Sequence, residues 1–103
     1  MNPRELSEVA RRVDSKESFL EFVAALRADW ELARAEEAAN PSPPYGASAR
    51  GWENLELGRF LEAMAAWLDS ADGYYRNTGQ AVSSTTPSWR LFTDMLMGAS
   101  VYE

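Results

Sequence analysis

The apolar positions of the stretch WENLELGRFLEAMAAWLDSADGYYRN, residues 52–77, recur at helical spacing. Leu57, Phe60, Leu61, Met64, Trp67, Leu68 and Ala71 are separated by 3, 1, 3, 3, 1 and 3 residues, a period that gathers them into one stripe on a helix. Glu56, Arg59, Glu62 and Asp69 fall on the other side. Asn54 is placed to cap the first turn through its side-chain oxygen. Gly73 follows the last periodic residue, where a left-handed cap would end the helix. Two aromatic rings give this stripe the largest apolar area of any segment. The pattern predicts a central helix over Leu57–Ala71 with the other helices packed around it.

Flanking segments carry the same period. Asn2 and Pro3 form a cap-then-proline start, and Leu6, Val9, Ala10 and Val13 then predict a short amphipathic helix. Asp14 and Glu17 have capping-box spacing ahead of a second stripe of Phe19, Phe22, Val23, Leu26, Trp30 and Ala33. Beyond Trp30 the run ELARAEEAA favours helix but has little to bury, so it reads as an exposed extension that ends at Asn40–Pro41. A helix from Ser15 to Ala39 would be about 36 Å long. A compact chain of this length has a radius of gyration of about 13 Å, so one end is expected to project. The next segment, NPSPPYGASARG at 40–51, is a long loop, in which Tyr45 either pins the loop to the core or contacts a partner. Residues 74–86 are rich in turn formers. Thr86–Pro87 then signals a last helix with a stripe of Trp89, Phe92, Met95, Leu96, Ala99 and Tyr102. No strand-like alternation and no internal repeat occurs. The expected fold is all-α: a single small domain, residues 1–103, of about four helices.

Charge and composition then narrow the function. The chain has 103 residues and a net charge of −6, with 46% hydrophobic and 25% charged residues, a globular composition. The acidity is spread along the chain. Six Lys/Arg face nine Asp/Glu in residues 1–40, and four face seven in residues 41–103. Phosphate contacts need a basic patch, so nucleic acid is not the expected partner and a basic protein is. The absence of cysteine gives no sign of a disulfide framework. The N-terminus lacks the apolar core of a signal peptide, and the longest apolar run, 63–68, is too short to span a bilayer. The expected location is the cytoplasm.

With no histidine and no cysteine, the Ser-His-Asp and Cys-His mechanisms are excluded, as is an ordinary zinc site. The single lysine, Lys16, beside Ser15, would need burial to activate a nucleophile, and a solvated first-turn lysine is the expected state. Glu62, Asp69 and Asp72 share a face of the central helix, with Asn77 near. Oxygen ligands of this kind suit Mg²⁺ or Ca²⁺, although DSADG does not match an EF-hand loop and the polar face of any helix offers such spacings. Aromatic content is the most unusual feature, with four Trp, four Tyr and four Phe. Trp52, Tyr74 and Tyr75 flank the central helix next to Glu53, Asp69 and Asp72. They either cap the ends of the core or form a contact patch, since aromatic residues beside carboxylates are typical of binding hot spots.

SKESFLEFVAAL (residues 15–26), WEN (52–54), FLEAMAAWLDSADGYYRN (60–77), Pro87–Trp89 and the terminal VYE together resemble a family of small acidic bacterial proteins of unknown function. In that family a WEN motif precedes an FLEAMAAW helix and a DGYY-N turn follows. The similarity runs from Val13 to Glu103, and the proline-rich loop looks like an insertion. The resemblance implies a bacterial cytoplasmic helical domain and brings no activity, cofactor or catalytic residue. By type, such proteins resemble the immunity proteins of toxin systems. The expectation is therefore a non-enzymatic binding protein, immunity-like or regulatory, for a basic partner such as a toxin. Its contact candidates are Trp52, Glu53, Asp69, Asp72, Tyr74 and Tyr75. The alternative is a metal or small-ligand protein using Glu62, Asp69 and Asp72. Alanine-rich 35–39 offers no large apolar seam, so a monomer or a weak symmetric dimer is expected.

Overall fold

The computed structural model describes residues 3–41 and 52–101. These form five α-helices and no strand: α1 (Pro3–Arg11), α2 (Lys16–Ala39), α3 (Leu57–Asp69), α4 (Ala71–Asn77) and α5 (Trp89–Val101). The all-α expectation holds. The predicted cap at Asn2, the loop with Tyr45 and the last stripe residue Tyr102 lie outside the described residues.

Local sequence sets the helix ends, with small shifts from expectation. The cap of α2 is Ser15, not Asp14. Its hydroxyl accepts from the Ser18 amide at 3.2 Å, and the Ser15 amide donates to Ser18 Oγ at 3.0 Å. This reciprocal pair does the work expected of Asp14 and Glu17. For α5 the cap is Ser88, whose hydroxyl accepts from the Leu91 amide at 3.0 Å, two residues past the predicted Thr86. Asn54 does not cap α3. Glu56 precedes that helix and makes no side-chain cap bond.

The predicted central helix is broken. At Ser70 the hydroxyl donates to Ala66 O at 2.9 Å, competing for the carbonyl that the continuing helix would use. The chain bends there and resumes as α4, so Gly73 lies inside a helix and does not end one. The glycine cap comes six residues later. Gly79 has φ +68°, and Gln80 N donates to Tyr75 O at 2.9 Å while Gly79 N donates to Arg76 O at 3.3 Å. These two bonds make a Schellman motif, which favours glycine at the left-handed position.

α1 lies along α2 and buries Leu6, Ala10 and Val13 against Phe22, Ala25 and Leu26. α5 packs most extensively on α3 and also meets α2. Thus α5, not α3, is the element that joins the two sides of the protein. α2 sets the long axis of a molecule 41 Å in its longest dimension, and its residues after Ala33 are mostly exposed, as its apolar content implies. A chain of polar contacts closes the α1 end. Arg90 on α5 donates to Ala10 O at 2.6 Å and Val13 O at 3.3 Å, satisfying carbonyls at the C-terminal end of α1. Its other nitrogen reaches Asp94 at 3.3 Å, and Asp94 accepts from the Tyr75 hydroxyl at 2.8 Å.

Candidate functional site: an apolar groove between α2 and α3

The apolar stripe of α3 spans about a third of the helix circumference at 100° per residue, and α5 covers only part of it. Ala63 and Trp67 are buried and Phe60 and Met64 half-buried, but Leu57 is 72% exposed, Leu61 48% and Leu68 37%. The expectation that all seven stripe residues face the core is therefore corrected. A helix partner covers a limited arc, and no described helix takes the rest. On α2 the same holds for Val23, predicted buried and 37% exposed.

The segment leading into α3 is bonded to both α2 and α5. Trp52 is buried, and its indole N–H donates to the buried carboxylate of Asp29 at 2.7 Å. The Trp30 indole donates to Leu55 O at 2.8 Å. On the other side, the amides of Glu53 and Asn54 donate to Ser100 O at 2.9 and 3.2 Å, and the Asn54 amide group donates to Ala99 O at 2.9 Å. Trp52–Asn54 is thus a clasp between α2 and the end of α5, where unpaired carbonyls need donors. Trp52 stacks on Phe60, with ring centroids 6.1 Å apart and planes at 26°.

Between the clasped elements runs an open groove of about 390 Å³, within the size range of ligand sites. Trp52, Leu26, Phe60 and Leu96 line it together with Val23, Arg27 and Trp30 of α2 and Leu55 and Leu57 on the α3 side. Its one charged lining residue among the described residues, Arg27, is ion-paired with Glu31 at 3.0 Å, and the amide of Asn54 is already bonded. Among the described residues no acid–base pair lines the groove. Its chemistry is the removal of apolar surface from water.

The sequence-derived candidates do not assemble into one patch. Trp52 and Tyr75 are buried, at 5% and 2% exposure; Trp52 contributes only to the groove wall, and Tyr75 lies inside the core. The Tyr75 phenol is pushed well above the ordinary tyrosine range, first by burial and then by its bond to Asp94. Tyr74 is partly exposed and packs on Trp67, centroids 5.5 Å apart. Glu53 is half-buried in the clasp, Asp69 and Glu62 are exposed on α3, and exposed Asp72 accepts from Ser84 Oγ. Among the described residues no three carboxylates gather closely enough to hold a metal ion. The break at Ser70 takes Asp72 out of the helix that carries Glu62 and Asp69. Lys16 is exposed and Ser15 is engaged as a cap, which fits a solvated lysine. The groove residues Val23, Arg27, Leu55 and Leu57 were not among the site candidates. No signal in the sequence marked them, since the α3 stripe has the ordinary width of a core-facing helix.

Fold and groove together define a small all-α protein with an open apolar groove. The chain belongs to DUF7660, a family of unknown function, whose model matches residues 15–103. The match begins at the Ser15 cap and leaves α1 outside it. No curated protein and no solved structure matches the chain.

Proposed function

We propose that the protein is a non-enzymatic protein-binding module, immunity-like or regulatory, that receives a basic partner in the cytoplasm through the α2–α3 groove. One observation carries this reading: Leu57, 72% exposed, lines an apolar groove of about 390 Å³, and Leu61 and Leu68 on the same helix are exposed at 48 and 37%. Fully burying a leucine stabilises by roughly 1.5–3 kcal/mol, so a partner that covers these three gains several kcal/mol. Contiguous apolar surface of this kind marks interaction sites. The net charge of −6 favours a basic partner and makes its association faster at low salt. No helix among the described residues is long and apolar enough to cross a membrane, which fits a partner met in solution.

The test is capture from a lysate of the source cell at low salt, with the wild type and a Leu57→Glu/Leu61→Glu variant as baits. A protein held by the first and lost by the second supports the reading, and failure of the wild type to retain any protein removes it. The metal alternative predicts a melting temperature that rises with millimolar Mg²⁺, Ca²⁺ or Mn²⁺. With Glu62, Asp69 and Asp72 dispersed, no rise is expected.

A further inference from the structure

α1 rests on a face of α2 and is fastened there by an arginine of α5. Leu6 and Ala10 of α1, and Val13 from the turn after it, are each 6% exposed and join a buried cluster with Phe22, Ala25 and Leu26 of α2. No other described helix packs on α1 as extensively as α2 does. Arg90, 80 and 77 positions away in sequence, donates to Ala10 O at 2.6 Å and to Val13 O at 3.3 Å. With nine residues, α1 is shorter than the roughly 12–15 below which an isolated helix is marginal in water. Its helical form therefore depends on being docked.

The family match adds a second observation. It begins at residue 15, so α1 lies outside the matched domain, whereas Phe22, Ala25, Leu26 and Arg90 lie inside it. The seat is part of that domain and the helix filling it is not. What the seat recognises is visible in α1 itself. Leu6, Ala10 and Val13 are spaced 4 and 3 residues apart, the pattern with which an amphipathic helix lays its apolar side into a groove. Arg90 takes backbone carbonyls, which every helix offers at its C-terminal end. Neither contact is peculiar to a helix supplied by this chain.

We infer that the α2 face under α1, together with Arg90, is a helix-docking seat that α1 fills in cis and that takes an amphipathic helix of a partner protein when α1 lifts away. The partner helix carries apolar side chains at spacings of 4 and 3 and ends beside Arg90. No α1 residue lines the groove between α2 and α3, so the seat is a second surface and stands or falls apart from the groove. The α1 of a second copy is not the occupant at ordinary concentrations. A link as short as residues 12–15 holds α1 at an effective concentration on the order of millimolar, which a second copy at micromolar concentration does not match.

Hydrogen exchange on the full chain tests whether α1 opens by itself. After correction for intrinsic rates, the amides of residues 7–11 are expected to exchange at least about tenfold faster than those of Ala63–Trp67 and Thr93–Ala99, through local opening. One common rate for all three segments overturns the inference. The seat is tested with Leu6→Asp/Ala10→Asp, which spoils the occupant and leaves α2 and Arg90 unchanged, and with a fluorescent peptide of residues 1–14 followed by anisotropy. A millimolar effective concentration and a docked state favoured about a hundredfold give an expected Kd on the order of 10 µM for this variant. The wild type, its seat filled, should bind the peptide about a hundredfold more weakly. A peptide carrying the same two aspartates should bind neither. Adding Arg90→Gln to the variant should weaken binding about tenfold, the worth of a hydrogen bond to a charged group. A variant that circular dichroism shows to be folded but that does not bind the peptide overturns the seat, as does equal binding by variant and wild type. An affinity indifferent to Arg90 overturns its part in holding the helix end. If the double variant does not fold, Leu6→Ala takes its place, with a smaller gain over wild type expected and no gain counting against the seat. The opening constant from exchange and the ratio of the two affinities describe one equilibrium, and a disagreement beyond about tenfold means that α1 and the peptide do not share the seat.

Discussion

Gly98 faces the Trp67 indole where α5 crosses α3, and replacing it with alanine tests the account of the core. A methyl group built on Gly98 would lie 2.5 Å from Trp67 Nε1 and 2.7 Å from Cγ. Comfortable contact between such atoms is about 3.5–4.0 Å, so the ring or the helix must move by about 1 Å. The ring has little room. It is 7% exposed, with Tyr74 and Tyr75 at centroid distances of 5.5 and 6.0 Å. Against the clash stands helix propensity, since alanine is favoured over glycine by about 1 kcal/mol in a helix interior. Overpacking a filled core costs about 1–3 kcal/mol, and forcing a backbone shift along the α3–α5 contact lies toward the upper end. The expected net loss is about 1–2 kcal/mol, a fall in Tm of roughly 5–15 °C for a domain of this size. Gly73→Ala is the internal control. It lies inside α4, where a methyl group would meet nothing within 4 Å, so the propensity gain acts alone and Tm should rise. Thermal melts followed by circular dichroism compare the two. If Gly98→Ala melts at or above the wild-type temperature, Trp67 does not pack on Gly98 as described.

Asn54→Ala removes the donor to Ala99 O and should cost about 1–2 kcal/mol. Amide exchange should speed up in the last turn of α5 rather than in the first turn of α3, which separates the clasp from a helix cap. The raised pKa of Tyr75 makes stability fall at alkaline pH. Unfolded tyrosine ionises near pH 10 while the buried phenol keeps its proton, so above that pH the unfolded chain binds fewer protons and is favoured. Denaturant titrations should show this fall flattened in Tyr75→Phe, which begins about 1–2 kcal/mol less stable at neutral pH through loss of the bond to Asp94; an unchanged slope would exclude Tyr75 as its source. Leu57→Glu, at a position that buries little, should leave stability within about 0.5 kcal/mol of wild type, and a larger loss would mean that Leu57 belongs to the core.

The helices were legible because their causes are local. The 3.6-residue period of Phe22, Leu26 and Ala33, the serine and acidic residues ahead of α2 and the apolar poverty after Ala33 act within a few residues. They read directly as a long helix with an exposed end. The errors at helix ends arose where two neighbouring residues could play the same part, Ser15 against Asp14 and Ser88 against Thr86. The break at Ser70 was hidden because serine is only mildly unfavourable inside a helix until its hydroxyl takes the Ala66 carbonyl. The candidate site was less legible. Trp52, Asn54 and Tyr75 stood out as unusual residues, but their roles depend on Asp29, Ala99 and Asp94, which lie 19 to 45 positions away in sequence.

Sequence alone thus determined that the chain is helical and where α1, α2, α3 and α5 lie to within a few residues, but not α4, whose residues 74–77 read as turn formers. It could not say which part of each stripe would be covered. That was decided in three dimensions, when the Trp52–Asn54 clasp tied α2 to the end of α5 and α5 took one side of α3. A stripe records only that a face prefers to leave water. Which neighbour removes it depends on distant carbonyls and carboxylates finding their donors, and here that arrangement leaves Leu57 and Val23 open along the groove and Leu61 exposed beyond it.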